Sequence, residues 1–273
     1  MSERPEIPAS PPPPRDRRRR LLLALVVLLG AVAGVLLRLW PDGERDPRGQ
    51  RGPTANEMAT VRARLHRELA AAGLRPGAPV YLRILKSERV LQAWLRAGGE
   101  DRLFRSYPIC HFSGDLGPKQ REGDLQAPEG LYSVSRRQLN PHSSYHLAFN
   151  IGYPNAYDRA HGRTGSALMV HGSCVSIGCF AMTDARIEEI YALVEDALRG
   201  GQPAVPVHIF PFAMTPEAMT KAAGSPHLPF WRELEPAWTA FERDQLAPRV
   251  RVSGRRYIVR AGTQARVGQA AGR

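Results

Sequence analysis

The 273-residue chain predicts a mainly β body with flanking α-helices, preceded by one apolar helix long enough to anchor in a bilayer. Three observations carry this reading. Between residues 79 and 172, short runs alternating apolar and polar residues recur between loops that contain Gly or Pro, the period-two pattern of half-buried strands. Two other stretches, 59–73 and 183–201, repeat apolar residues at intervals of three and four, the period of an amphipathic helix. Residues 21–37, LLLALVVLLGAVAGVLL, hold no charge in 17 positions.

At the amino end, PPPPRDRRRR has the composition of a solvated cationic segment. The apolar run after it, extended through Arg38, Leu39 and Trp40, reaches roughly 30 Å as a helix, with Arg38 snorkelling and Trp40 at the interface. The preceding arginines favour an inside amino terminus, so the chain from Pro41 onward is expected on the far side of the membrane. Cleavage after Ala31-Val32-Ala33 is the rival reading, and the apolar GVLLRLW that would follow makes an odd mature terminus. An uncleaved signal anchor is therefore favoured. Residues 41–56, PDGERDPRGQRGPTAN, read as a short juxtamembrane linker.

In ATVRARLHRELAAAG (59–73), Val61, Leu65 and Leu69 mark one helical face that ends at Gly73. PVYLRILKSERVLQAWL then alternates and turns at Lys86-Ser87-Glu88, a hairpin. RLFRSYPICHF, GLYSVSRR, SSYHLAFNIG and SALMVHG are further strand-like runs. The long polar and aromatic loop YPNAYDRAHGRTG (153–165) is a candidate binding loop. TDARIEEIYALVEDALRGG (183–201) has a capping start, an apolar face at Ile187, Ile190, Leu193, Val194 and Leu198, and a Gly-Gly stop. VPVHIFPF is a buried-type strand, 215–246 is helix-rich with Trp231 and Trp238 two turns apart, and RRYIVRA is one more strand before an Ala/Gly/Arg tail.

The formal charge of +12 does not describe the body. Residues 249–273 hold seven arginines and no acid, and the segment before 58 carries a further excess of arginine, which leaves 58–248 almost neutral. A basic nucleic-acid groove on the body is excluded as an expectation, and the charge belongs to the two ends.

The chemistry concentrates in MVHGSCVSIGCFAM (169–182). His171 closes an apolar strand, and Cys179 follows a glycine eight residues later, just before the helix that opens near Thr183. A strand, a tight turn and a helix can present a thiol together with backbone N–H groups, the construction of an oxyanion hole. An imidazole nearby can take the thiol proton, and Gly178 lets the chain turn and a substrate approach. Three other readings stand beside this one. Cys179 and His171 can be buried, satisfied residues. His171, Cys174 and Cys179 can be zinc ligands, although C-x4-C without a second pair fits a structural zinc site poorly. The three cysteines, Cys110, Cys174 and Cys179, can form one disulfide and leave one thiol, which is Cys179 if Cys110 pairs with Cys174.

The same run, with HG ahead of S-x-G-C, resembles the active-site signature of the L,D-transpeptidase catalytic domain, the YkuD type. PEGLYSV, LNPHSSYHLAFNIGYPNAYDRAHGRTGS, MVHGSCVSIGCFAMTD and VPVHIFPF are similar to its YafK-like branch, over about Tyr81 to Trp238. The resemblance implies a β-sandwich-like domain with flanking helices that acts on the diaminopimelate-containing stem peptides of peptidoglycan, in the periplasm, without metal or cofactor. It places the nucleophile on Cys179 and the proton donor and acceptor on His171, with Ser176, Gly178 and Gly172 supporting the site. Substrate-binding candidates are His146 and, in the 153–165 loop, Tyr153, Arg159, His161 and Arg163, where guanidinium suits a carboxylate. Partners are then the stem peptides, a wall-linked protein as a further possibility, and the membrane through the amino-terminal helix.

The corresponding division is a cytoplasmic basic segment at 1–20, the anchor at 21–40, a linker at 41–57, a catalytic domain at 58–246 with its motif core at 79–213, and a basic tail at 247–273. Two departures bear on activity. Ile177 stands where the common signature has a second histidine, and Ala181 where it has an arginine. Loss of that arginine removes a handle for an acceptor's carboxylate, so hydrolysis of a diaminopimelate-linked amide is favoured over transpeptidation. A non-catalytic wall-binding protein is the reading from a different class.

Overall fold

In the computed structural model, residues 52–263 are described, and the amino-terminal basic segment and apolar run lie outside them. Among the described residues no helix is long and apolar enough to cross a membrane. The first element of the described residues is α1 (Ala55–Ala71), whose amino end carries a reciprocal cap: Thr54 Oγ1 accepts from Glu57 N, and the Glu57 carboxylate accepts from Thr54 N. Leu65 and Leu69 are the buried stripe that the spacing predicts.

Strands β1 (Val80–Leu85) and β2 (Val90–Ala97) form the expected hairpin about Lys86-Ser87-Glu88, and β3 (Glu100–Pro108) continues it antiparallel. A loop then leads to β4 (Gly130–Val134), β5 (Leu139–Ser143) and β6 (His146–Asn150). A short helix, α2 (Ala156–Ala160), interrupts the 153–165 loop before β7 (Met169–His171) and β8 (Phe180–Ala181). Next come α3 (Asp184–Arg199), β9 (Val205–Phe210), α4 (Pro216–Lys221) and α5 (Leu228–Asp244), and the described chain ends in β10 (Arg249–Ser253) and β11 (Arg256–Arg260).

Five strands make one mixed sheet in the order β3-β2-β1-β9-β4, with β9 inserted parallel to β1. Every residue of β1 is buried, as for a central strand covered on both faces. A second sheet runs β5-β6-β7-β8, with β8 parallel to β7. The main core fills the space between these sheets and the apolar faces of α1 and α3; Leu82, Ile84, Phe149, Val170, Phe180, Ile187 and Ile190 all belong to it. On the other side, α5 packs Phe230, Trp231, Leu234 and Trp238 with Leu85, Phe210 and Tyr257 of the terminal hairpin, and Phe241 against Tyr81 and Trp94. Arg83 fastens this layer, its guanidinium lying over Trp94, Trp238 and Phe241 while its Nη1 meets Glu242.

The expectation of a mainly β body is corrected here. The helices occupy about as much of the described chain as the strands, and the body is α+β, because α1, α3 and α5 are full layers over the sheets. At the carboxyl end, 249–260 forms a hairpin whose Tyr257 is buried and stacks on Tyr157 with centroids 4.2 Å apart.

Candidate active site

The second sheet positions the chemistry. In the parallel β7–β8 pair His171 is level with Ala181 and Val170 with Phe180. Alternation along β7 turns Val170 and His171 to opposite faces, and Cys179 is the residue immediately before β8. Met169 N donates to Cys179 Sγ at 3.4 Å, which fixes the thiol beside the start of β7.

Each member of this pair is oriented by a backbone group. His171 is buried, and its Nδ1 lies 2.7 Å from the Gly172 carbonyl, a group that only accepts. The proton therefore sits on Nδ1, and Nε2 is left with its lone pair. Burial pushes the His171 pKa down, opposed by that carbonyl contact. The Cys179 thiol is half-buried and unpaired, and burial pushes its pKa up, opposed by the Met169 N–H and by the charge of Lys119. The two shifts act together, so at neutral pH the resting pair is a neutral thiol and a neutral imidazole.

Ser176 closes the turn into Cys179. Cys179 N donates to Ser176 Oγ at 2.7 Å, and Ser176 Oγ donates to the Cys179 carbonyl at 2.8 Å. The N–H of Cys179 is thus occupied, while those of Ile177 and Gly178 have no acceptor among the described residues. Gly178 has φ +125°, which L side chains rarely adopt. Gly172 answers a different need: a Cβ there would stand 2.6 Å from Asp184 Oδ1 and 3.0 Å from both His146 Cβ and the Tyr145 carbonyl. The same Asp184 Oδ1 accepts from Ser173 N, so the loop leaving His171 is capped by the first residue of α3.

The disulfide joins Cys110 to Cys174, and Cys179 is free. Cys174 is thereby removed from any zinc-ligand set, which leaves His171 and Cys179 alone from the three candidates. On the other side of β8, the backbone of His111 pairs with Ala181 in both directions, so β8 is held on both edges.

The substrate-binding candidates separate. His146 lies beside Gly172, and its Nε2 is 2.8 Å from Glu188 Oε1, a bond that raises its pKa. Tyr153 is buried and donates to the Lys119 and Thr164 carbonyls, which makes it a brace between two loops. Arg163 is buried, bonds Asp158 at 2.8 Å and lies over the rings of Tyr157 and Phe230. Arg159 is exposed and reaches the Pro154 carbonyl, and His161 stacks on Tyr157. Arg163 is not free to hold a carboxylate at Cys179, because it is inside a buried ion pair, and the hydrogen bond of Arg159 goes to its own loop. The sequence reading passed over Tyr145, whose ring lies 4.8 Å from that of His171 and is largely exposed. Lys119, to which the sequence reading assigned no role, is buried.

With this geometry in place, the comparisons decide the family. The model of the L,D-transpeptidase catalytic domain, YkuD, matches residues 79–209. A protein of Escherichia coli (strain K12) called YafK, provisionally assigned as an L,D-transpeptidase, is 51% identical over 183 residues, which cover 67% of this chain and 74% of YafK. The chain belongs to the L,D-transpeptidase catalytic domain family. Among solved structures, the helical cell shape determining protein Pgp2 of Campylobacter jejuni is 22% identical, with a TM-score of 0.40 and 66% of each chain covered. Bd1075 of Bdellovibrio bacteriovorus is 24% identical, with a TM-score of 0.34, over 50% of this chain and 53% of that one. Within the L,D-transpeptidase frame, the mixed sheets with flanking helices are the expected domain.

Proposed function

We propose that this L,D-transpeptidase-family protein is a cysteine-dependent enzyme that acts at diaminopimelate in peptidoglycan stem peptides, and that it hydrolyses a diaminopimelate-linked amide. The observation that carries the reading is the free thiol of Cys179, held by the Met169 N–H at the start of the strand that ends in His171, whose tautomer leaves Nε2 ready to accept a proton. Cys179 Sγ attacks the amide carbonyl carbon as its proton passes to His171 Nε2. The oxyanion forms within reach of the unpaired N–H groups of Ile177 and Gly178, in place of the Cys179 N–H that Ser176 occupies. On collapse His171 gives the proton to the leaving amine and a thioester remains. Water then attacks the thioester, His171 takes its proton, and the thiolate leaves and is reprotonated.

Water is favoured as acceptor over a second stem because the handle for that stem's carboxylate is missing. Ala181 is buried in β8 and carries no charge, Arg163 is committed to Asp158, and Ile177 stands 80% exposed at the mouth as an apolar residue. Without a fixed contact an amine loses positioning, which contributes several kcal/mol to a bimolecular step. Muropeptides incubated with the full chain and analysed by mass spectrometry test this. Free stems that appear without amine exchange, and that vanish with Cys179→Ala, are expected. Efficient exchange with an added D-amino acid would overturn hydrolysis as the main reaction.

Export to the periplasm on an uncleaved anchor is part of the same proposal and rests on the sequence of residues 15–40. A reporter fused after residue 60 is expected to work only as a periplasmic reporter. Activity as a cytoplasmic one would remove the wall substrate from consideration.

A further inference from the structure

The loop between β3 and β4 contains a cation that the reaction above does not use. Lys119 is 4% exposed. Its ammonium donates to the Arg121 carbonyl at 2.8 Å and to Asp124. Asp124 is fixed in turn by the N–H groups of Gln120, Arg121 and Gln126 at 2.8, 2.9 and 3.1 Å. These bonds hold the Asp124 pKa down at about 2, so the ammonium is caged against a permanent carboxylate.

Both walls of this cage reach the nucleophile. Gln126, which shares Asp124 Oδ1 with Lys119, presents its carbonyl 3.7 Å from where a Cβ on Gly178 would be. On the other wall, a Cβ on Gly165 would stand 2.8 Å from Lys119 Cε, and two residues later the Ala167 carbonyl lies 3.7 Å from Cys179 Sγ. Tyr153 and the Thr164 N–H bond to the Gln120 carbonyl stitch the two walls together. A cation in this position cannot swing away, because its stem is packed and its head is tied at two points.

We propose that Lys119 is a positioning residue for the nucleophile: a caged ammonium in the cleft wall that favours the thiolate of Cys179. The site otherwise lacks such a charge. His171 is neutral at rest, Ala181 brings none, and His146 is turned to Glu188. A thiolate forming in a half-buried cleft without a nearby cation carries the full cost of desolvation, and a fixed positive charge offsets part of it. Caging by Asp124 fits this role better than substrate capture, because the ammonium is held in place and not presented to the mouth.

The proposal rests on Cys179 being the reactive thiol. Its test needs no substrate, so its failure and a failure of the proposed reaction are distinguishable. The rate of alkylation of the full chain by iodoacetamide is followed against pH, with Cys110 and Cys174 closed in their disulfide. Lys119→Met keeps the packed stem and removes the charge; below the midpoint it is expected to slow alkylation about threefold or more and to move the midpoint upward. Lys119→Arg is expected to stay near the wild type. Asp124→Asn keeps one acceptor oxygen for the loop N–H groups and uncages the charge, and it is expected to move the midpoint downward. A midpoint unchanged in Lys119→Met overturns the proposal, as does Lys119→Arg shifting as far as Lys119→Met. If Lys119→Met does not fold, an unchanged or raised midpoint in Asp124→Asn overturns it alone.

Discussion

Substituting Lys86 with Met tests what holds the β3–β4 loop, and with it one wall of the cleft. Lys86 and Glu129 are both fully buried, with Nζ 3.1 Å from Oε1. The ammonium also donates to the carbonyls of Asp115, Gly117 and Ala127 at 2.7, 3.1 and 3.0 Å. Glu129 accepts from Gly117 N at 2.6 Å and from Trp231 Nε1 at 2.7 Å. Met fills most of the same volume, so the loss is electrostatic. Removing one partner of a buried pair costs about 3–5 kcal/mol. The carbonyls of Asp115 and Gly117 keep the Gln126 amide as a donor, which leaves Ala127 O as the newly orphaned acceptor and Glu129 with two of its bonds. A net loss of about 4 kcal/mol follows, or roughly 10 °C in Tm for a body of this size. Thermal and urea unfolding measure it, and hydrogen exchange should quicken over residues 113–127. Adding Glu129→Gln removes the stranded charge and should recover part of the loss. A fall below about 1 kcal/mol for Lys86→Met, or a double variant as unstable as the summed singles, would refute the reasoning.

Three more outcomes are expected. His146 has its pKa raised by Glu188, so its contribution is complete below the unfolded value and fades as pH rises through the folded one; the stability gap between wild type and His146→Gln should be wider at about pH 5 than at about pH 9. Truncation after residue 263 should leave turnover of a soluble stem peptide unchanged, whereas truncation after 248 should lower Tm, because it takes away Tyr257, which stacks on Tyr157 and bonds Asn155. His171→Ala should leave the fold intact by circular dichroism and lower turnover by about a hundredfold or more, the usual scale of a lost general base; an effect below about threefold would favour a wall-binding protein with an idle site.

Local chemistry made much of this legible in the sequence. The Thr183 start and Gly200 stop of α3, the turn at 86–88 and the two-turn spacing of Trp231 and Trp238 are all written within a few residues, and the structure has each of them. What escaped depends on contacts between distant segments. The mate of Lys86 is 43 residues away, and β9 enters between β1 and β4 only after a whole second sheet has formed. Arg163 looked free in a polar loop, yet its charge is consumed by Asp158 beneath Phe230, which no spacing announces. The bond from Cys179 N to Ser176 Oγ lay within four residues, so the serine's support could be read, but the resulting shift of free donors to Ile177 and Gly178 required the turn geometry.

The same turn explains why the loop between His171 and Cys179 can be so short. Eight residues must carry the chain out of β7 and back into the parallel β8, and Ser173 and Cys174 do this with successive φ values of +65° and +55°. Two non-glycine residues in the left-handed region cost about 1–2 kcal/mol each, and such a conformation persists only where its surroundings over-determine it. Here four tethers do so. Ser173 N is bonded to Asp184, Cys174 N to the Met182 carbonyl, Cys174 Sγ to Cys110, and the far end of the loop is closed by Ser176 on Cys179. Val175 and Ile177 are left as the exposed crest of a loop anchored at both ends. The disulfide is therefore part of what orients the β7–β8 strand pair. Cys110→Ser with Cys174→Ser should lower turnover by more than it lowers stability, while Cys179 alkylation by a small reagent persists. Full turnover in the doubly substituted chain would show that Asp184 and Ser176 suffice to hold the turn.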